Sequence, residues 1–115
     1  MSESKIYSFI GLAKKAGAVI AGVPLTEKAV KQGKAHLVLV AKDASGNTGK
    51  KVETVLYGTD VPLKVFGDKE SLGQILGKPF VSVITVTDMN FSKRIQEMIE
   101  EEKILNTAYG GGVFE

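Results

Sequence analysis

The stretch Val19-Ile20-Ala21-Gly22-Val23-Pro24-Leu25-Thr26-Glu27-Lys28-Ala29-Val30-Lys31-Gln32-Gly33-Lys34-Ala35-His36-Leu37-Val38-Leu39-Val40-Ala41-Lys42-Asp43 decides the fold. It reads as a short strand, a glycine turn, a brief helix, a second glycine stop and a buried strand. Proline suits the first helical position, where its missing N–H costs nothing, so Val23-Pro24 after Gly22 opens a helix. Leu25, Ala29 and Val30 form a narrow apolar stripe, while Lys28 and Lys31 share another face. Gly33 stands where a left-handed C-terminal residue is wanted. The run from Leu37 to Ala41 is apolar without alternation, as in a strand covered on both faces. A helix start is thereby held at the edge of a sheet, opened by glycine and flanked by lysines. Backbone amides and positive charge can meet a phosphate there.

Outward from this stretch, the remaining chain repeats the same alternation. A first helix begins at Ser2 or Ser4, with Glu3 favourable to its dipole. Ile6, Phe9, Ile10 and Ala13 make its core face, and Lys14, Lys15 and Gly17 end it. After Lys42 a glycine-rich loop, Asp43 to Lys51, runs into a helix with Thr48, Val52, Val55 and Leu56 on one side. Val61-Pro62 leads to a strand over Leu63–Phe66, and Asp68 caps a helix carrying Leu72, Ile75 and Leu76. Branched residues from Val81 to Val86 predict another strand. Asp88 or Asn90 starts a final helix with Phe91, Ile95, Met98 and Ile99 inward. Strands alternating with helices predict a three-layer α/β/α sandwich with a mixed, about four-stranded sheet. Residues 1–105 form a single domain in this reading, and 106–115, with Gly110-Gly111-Gly112, a flexible tail.

Composition narrows the function classes. The 115 residues contain no cysteine, which removes disulfide frameworks and thiolate chemistry. No apolar run approaches the ~18 residues of a membrane span, and the N-terminus lacks a signal pattern. A cytoplasmic protein that does not engage membranes is expected. The net charge of +2 hides an asymmetry: residues 1–51 carry +6 and residues 52–115 carry −4. A surface for a polyanion and a spread of solvated charges both fit that imbalance.

Signals for catalysis, metals or cofactors are weak. The single histidine, His36, precedes a strand without a partner nearby in sequence. No H-E-x-x-H, nucleophile elbow or paired-carboxylate pattern occurs. The loop around Gly49-Lys50 fails the Walker pattern twice, with Ala44 in place of the first glycine and Lys51 in place of the hydroxyl. Gly46-Asn47-Thr48-Gly49 matches a bare GxxG, but it follows a strand, whereas the RNA-clamping version joins two helices. Glu100-Glu101-Glu102 are consecutive on a helix and point in different directions, as on a solvated face. No enzyme, no cofactor and no metal site is expected, although a nucleotide at the Asp43–Lys51 turn is a third, minor reading.

The ordered pieces Gly22 … Lys28-Ala29-Val30-Lys31-Gln32-Gly33, Leu37 to Ala44, and Leu72-Gly73 … Gly77-Lys78 resemble the L-seven-Ae family of ribosomal proteins. Its pattern is G-x-N-E-x-T-K-A-(apolar)-x-x-G, followed by an apolar strand and a turn like AKDA. Ile10-Gly11-Leu12-Ala13, the run Asp43 to Val52 and Val86-Thr87-Asp88 are similar to the bacterial YlxQ-like branch. The resemblance spans Ser8 to Ile99. It implies a small α/β/α protein binding kink-turn RNA, in which the backbone at Gly22 approaches RNA and Lys28 contacts phosphate. The Asn-Glu pair that reads sheared G·A pairs in the family falls on Pro24 and Leu25, which cannot make those hydrogen bonds. The loop that supports a splayed nucleotide maps to Pro79, Phe80 and Val81, where Phe80 can stack on a base.

The resulting expectation is a monomeric RNA-binding, ribosomal-protein-like domain with altered base specificity. Its surface comprises Gly22, Lys28, Lys31, Lys42, Phe80 and Val81, with Pro24, Leu25, Lys15 and Lys34 as further contributors. Its partner is ribosomal or other structured RNA, and the ribosome itself is a candidate. A ribosome- or translation-associated protein–protein interaction module on the same fold is the alternative.

Overall fold

A computed structural model describes residues 2–109. Its order is α1 (Ser2–Lys15), β1 (Val19–Ala21), α2 (Val23–Lys31), β2 (Leu37–Val40), α3 (Gly46–Leu56), β3 (Leu63–Val65), α4 (Lys69–Leu76), β4 (Val83–Val86) and α5 (Met89–Tyr109). The four strands form one sheet ordered β1-β4-β2-β3. β4 runs antiparallel to both β1 and β2, and β2 pairs parallel with β3. The sheet is therefore mixed, with β4 and β2 central.

The unalternating apolar strands follow from helices on both sides. Successive side chains of a strand point to opposite faces. Leu37 and Leu39 of β2, with Ile84 and Val86 of β4, join Ile6, Ile10, Leu72, Leu76, Ile95 and Ile99 in the larger core. Val38 and Val40, with Val83, turn the other way onto Val52 of α3. Helices α1, α4 and α5 thus cover one face, and α2 and α3 the other. Tilted ring contacts at centroid distances of 5.0 Å for Tyr7–Phe66 and 5.3 Å for Phe9–Phe91 extend the larger core outward.

Five local expectations change. The buried residues of α2 are Thr26 and Ala29, whereas Leu25 is 48% exposed. Thr26 can turn inward because its hydroxyl finds acceptors there, and Leu25 faces outward one helical step away. Pro24 occupies the second helical position, behind Val23. The last strand begins at Val83 rather than Val81, because the Val81 N–H bonds the carbonyl of Lys69 at 3.0 Å instead of a neighbouring strand. β3 ends at Val65, and Phe66 closes into the core. The chain from residue 106, expected as a tail, continues α5 as far as Tyr109, and residues 110–115 lie outside the described residues.

The connections bring the ends of β1, β2 and β3 and the start of β4 to one end of the sheet. Gly22 N–H donates to Val83 O at 2.9 Å, Ala41 N–H to Ser82 O at 2.9 Å, and Lys42 N–H to Gly67 O at 2.7 Å. Open α/β sheets bind ligands outside the carboxyl ends of their strands, so this end is the place to look.

Candidate nucleic-acid interface

The start of α2 is unlike those of α3, α4 and α5. Ser45 caps α3 by accepting from Thr48 N–H at 3.1 Å, Asp68 caps α4 through Ser71 N–H at 2.8 Å, and Asp88 caps α5 through Phe91 N–H at 2.9 Å. At α2 the cap is Gly22, which has no side chain to offer. Its φ of 98° lies in the region that L side chains rarely adopt, so glycine is required there. The first-turn N–H groups of α2, those of Val23 and Leu25 since Pro24 has none, consequently receive no side-chain cap.

Beneath this open start lies a buried clamp. Thr26 and Thr85 are both fully buried, and their hydroxyl oxygens stand 2.7 Å apart. Thr26 Oγ1 also donates to Gly22 O at 2.8 Å, alongside the Thr26 N–H at 3.1 Å. Gly22 is held by its own carbonyl, by its amide on β4, and through Thr26 by the middle of the sheet. The backbone that faces outward is rigid because the polar atoms behind it are satisfied.

The second wall is built by a glycine as well. A Cβ added to Gly73 of α4 would stand 2.5 Å from Lys78 O and 2.9 Å from Pro79 backbone atoms. The loop after α4 therefore packs directly on the helix, and Lys78 N–H donates back to Gly73 O at 2.8 Å. This close packing throws the Phe80 ring outward, where it is 67% exposed, and turns Val81 inward to 5%. The Leu72-Gly73 … Gly77-Lys78 spacing thus sets the direction of Phe80. Val81 serves as the floor beneath the ring and offers little surface of its own.

Between these walls a cleft of about 310 Å³ is lined by Gly22, Val23, Thr48, Lys78, Phe80 and Val81. Lys78 and Thr48, at the start of α3, join it only through tertiary packing. Pro24, Leu25, Lys28 and Lys31 stand on the exposed side of α2. Lys31 is 75% exposed and pairs with Glu27 at 3.4 Å. Lys42 lies at the same sheet end but turns toward α1, where its ammonium meets Glu3 Oε2 at 2.9 Å. The hydrogen bond to that carboxylate raises the Lys42 pKa above its ordinary value, opposed by partial desolvation.

Two expected contributors lie elsewhere. Lys15 ends α1, which leads into the start of β1, and Lys34 follows the end of α2 before β2. Both positions are at the opposite end of the sheet from Gly22. Lys14 complements a helix other than its own, donating to Leu76 O at the end of α4 at 3.2 Å. His36 is bound into the sheet by its backbone, with its carbonyl accepting from Ser92 Oγ at 2.8 Å. Asp43 holds the turn by accepting from Lys69 N–H at 2.9 Å.

Known proteins resemble this chain in sequence and in fold. The chain is 34% identical over 100 residues to the RNA-binding protein YlxQ of Bacillus subtilis, covering 87% of this chain and 100% of that one. It is 37% identical over 99 residues to the RNA-binding protein YlxQ of Enterococcus faecium, covering 86% and 95%. The large ribosomal subunit protein eL30 of Sulfolobus acidocaldarius is 36% identical over 91 residues, covering 77% and 86%. A solved structure of a Bacillus halodurans protein of unknown function superposes with a TM-score of 0.78 at 34% identity, covering 84% of this chain and 97% of that one. The Giardia lamblia 15.5kD RNA binding protein shares the fold, with a TM-score of 0.72 at 20% identity over 91% of each chain. The model of the ribosomal protein L7Ae/L30e/S12e/Gadd45 family matches residues 4–96, and the chain belongs to that family.

Proposed function

We propose that the protein is a non-enzymatic, monomeric, cytoplasmic RNA-binding domain that recognises kinked RNA through the cleft between Gly22 and Phe80. The reading rests chiefly on one observation: a helix start without a side-chain cap and an outward aromatic ring line one cleft together with Lys78. The amides of α2 and Lys28 hold phosphates, which fixes the RNA in register without reading its sequence. Phe80 stacks on an unpaired base, with Val81 supporting the ring from below. Lys31 adds charge along α2, and Lys42 contributes when its pairing with Glu3 yields.

Pro24 and Leu25 occupy the exposed first turn where the family pattern carries Asn-Glu. Neither offers a side-chain donor or acceptor, so base discrimination at sheared G·A pairs is relaxed and recognition falls on backbone shape. Ribosomal RNA or the assembled ribosome is the natural partner for such a domain, since structured RNA presents kinked backbones in quantity.

Fluorescence anisotropy across a salt series tests this, using a kink-turn RNA beside one with its tandem G·A pairs replaced. Binding to both, with a modest preference for the first and a steep loss with salt, is expected. No binding to either at low salt overturns the proposal and favours a protein partner on the same face.

A further inference from the structure

Three neighbouring concavities lie on the α2–α3 side. The cleft beneath Phe80 reaches Val23. A second, of about 340 Å³, starts at Val23 and runs between α2 and α3 past Lys50 and Lys51 to Glu27. A third, of about 370 Å³, starts at Glu27 and follows the exposed side of α2 past Lys28 and Lys31. Val23 and Glu27 each line two of them, so the three lie side by side along α2 and form the α2–α3 groove.

The charge along this groove is uneven in a telling way. Glu27 is the one acidic side chain among the described lining residues, and it is already paired with Lys31. Lys28, Lys50, Lys51 and Lys78 take part in no ion pair among the described residues. Lys42, by contrast, is directed away from the groove onto Glu3. Positive charge held in no ion pair therefore runs from the cleft across α3.

We infer that the α2–α3 groove is a second RNA contact surface, carrying the phosphate backbone of a helical stem attached to the element held at Phe80. Lysines act there as point charges, Thr54 Oγ1 already donates to Lys50 O and Glu27 is paired with Lys31, so the contact lengthens the footprint with little sequence specificity. α2, with nine residues, spans about 13 Å, which adds a stretch of backbone rather than a single phosphate. The inference rests on the RNA-binding reading above and extends its footprint.

Two labelled kink-turn RNAs test it, one trimmed close to the kink and one with its stem extended by a helical turn. The wild-type protein should bind the longer RNA several-fold more tightly, with a steeper salt dependence. The double variant Lys50→Gln/Lys51→Gln should lose that advantage, with its salt slope on the long RNA reduced by about 2, and bind the trimmed RNA as before. Lys50→Glu/Lys51→Glu should push the long RNA below the trimmed one. Equal wild-type affinity for the two RNAs, or equal weakening of both by the Gln variant, overturns the second surface while leaving the first intact. Failure of the wild type to bind even the trimmed RNA overturns the RNA-binding reading, and this inference with it.

Discussion

The two faces of the sheet are covered in contrasting ways. On one side, α1, α4 and α5 bury the larger core, and their outer surface is crossed by ion pairs such as Lys64–Glu100 and Arg94–Glu97. On the other, α2 and α3 cover a smaller cluster of Val38, Val40, Val52 and Val83, and Lys28, Lys50 and Lys51 take part in no ion pair among the described residues. The outer surface of the first face is mixed in sign, with Glu3, Glu70, Glu97, Glu100 and Glu101 among its lysines. The second carries a helix start without a side-chain cap, an exposed aromatic ring, and a groove whose one acidic lining residue among those described is Glu27. A division of labour follows: apolar burial beneath one face supplies most of the stability, and the other keeps charges available for a polyanion.

This division can be broken most forcefully in the larger core. Leu72→Ala removes a fully buried side chain and should cost about 2–5 kcal/mol in chemical denaturation. If the division holds, folded protein of that variant should retain its RNA affinity; a matching loss of affinity would show that the two faces are not separable. Phe80→Ala tests the opposite side. Its exposed ring should contribute about 1–3 kcal/mol to binding, read by anisotropy, and almost nothing to the melting temperature.

Thr26→Val probes the joint between the faces. It leaves Thr85 Oγ1 buried without its partner, at a cost of about 1–3 kcal/mol in stability. It also releases the inner side of Gly22, so RNA affinity should fall as well. The double variant Thr26→Val/Thr85→Val should recover much of the stability but not the affinity.

The smallest effect lies at Asp68, where hydrogen bonds from Ser71 hold the carboxyl below its ordinary pKa. A depressed folded-state pKa favours the folded state above the unfolded-state value. That contribution disappears as pH falls through the folded-state value, in the acid range below about 4. Asp68→Asn, which still caps the helix, should flatten this part of the pH–stability profile and leave RNA binding unchanged.

Much of this contrast was legible in the residues themselves. The apolar run Leu37–Ala41 announced a strand covered on both faces, the branched residues of Val81–Val86 announced a further strand, and Asp68, Gly33 and Gly17 marked helix boundaries correctly, because capping is a matter of neighbouring residues. Leu25 misled because helical periodicity cannot weigh a threonine whose hydroxyl has a buried partner 59 positions away. Val81 reads as strand in isolation, yet a bond to Lys69 removes it from the sheet and makes it the floor of the cleft.

The sequence by itself determined the alternation of strands and helices, the glycine opening at Gly22 and the excess of lysine in the first half, since these depend on local sterics and composition. Only the tertiary structure decided which lysines are available, pairing Lys42 with Glu3 and leaving Lys50, Lys51 and Lys78 beside the groove. It also aimed Phe80 outward by packing its loop on Gly73. Ion pairs and loop directions depend on atoms brought together from distant parts of the chain, and that proximity is set by the fold.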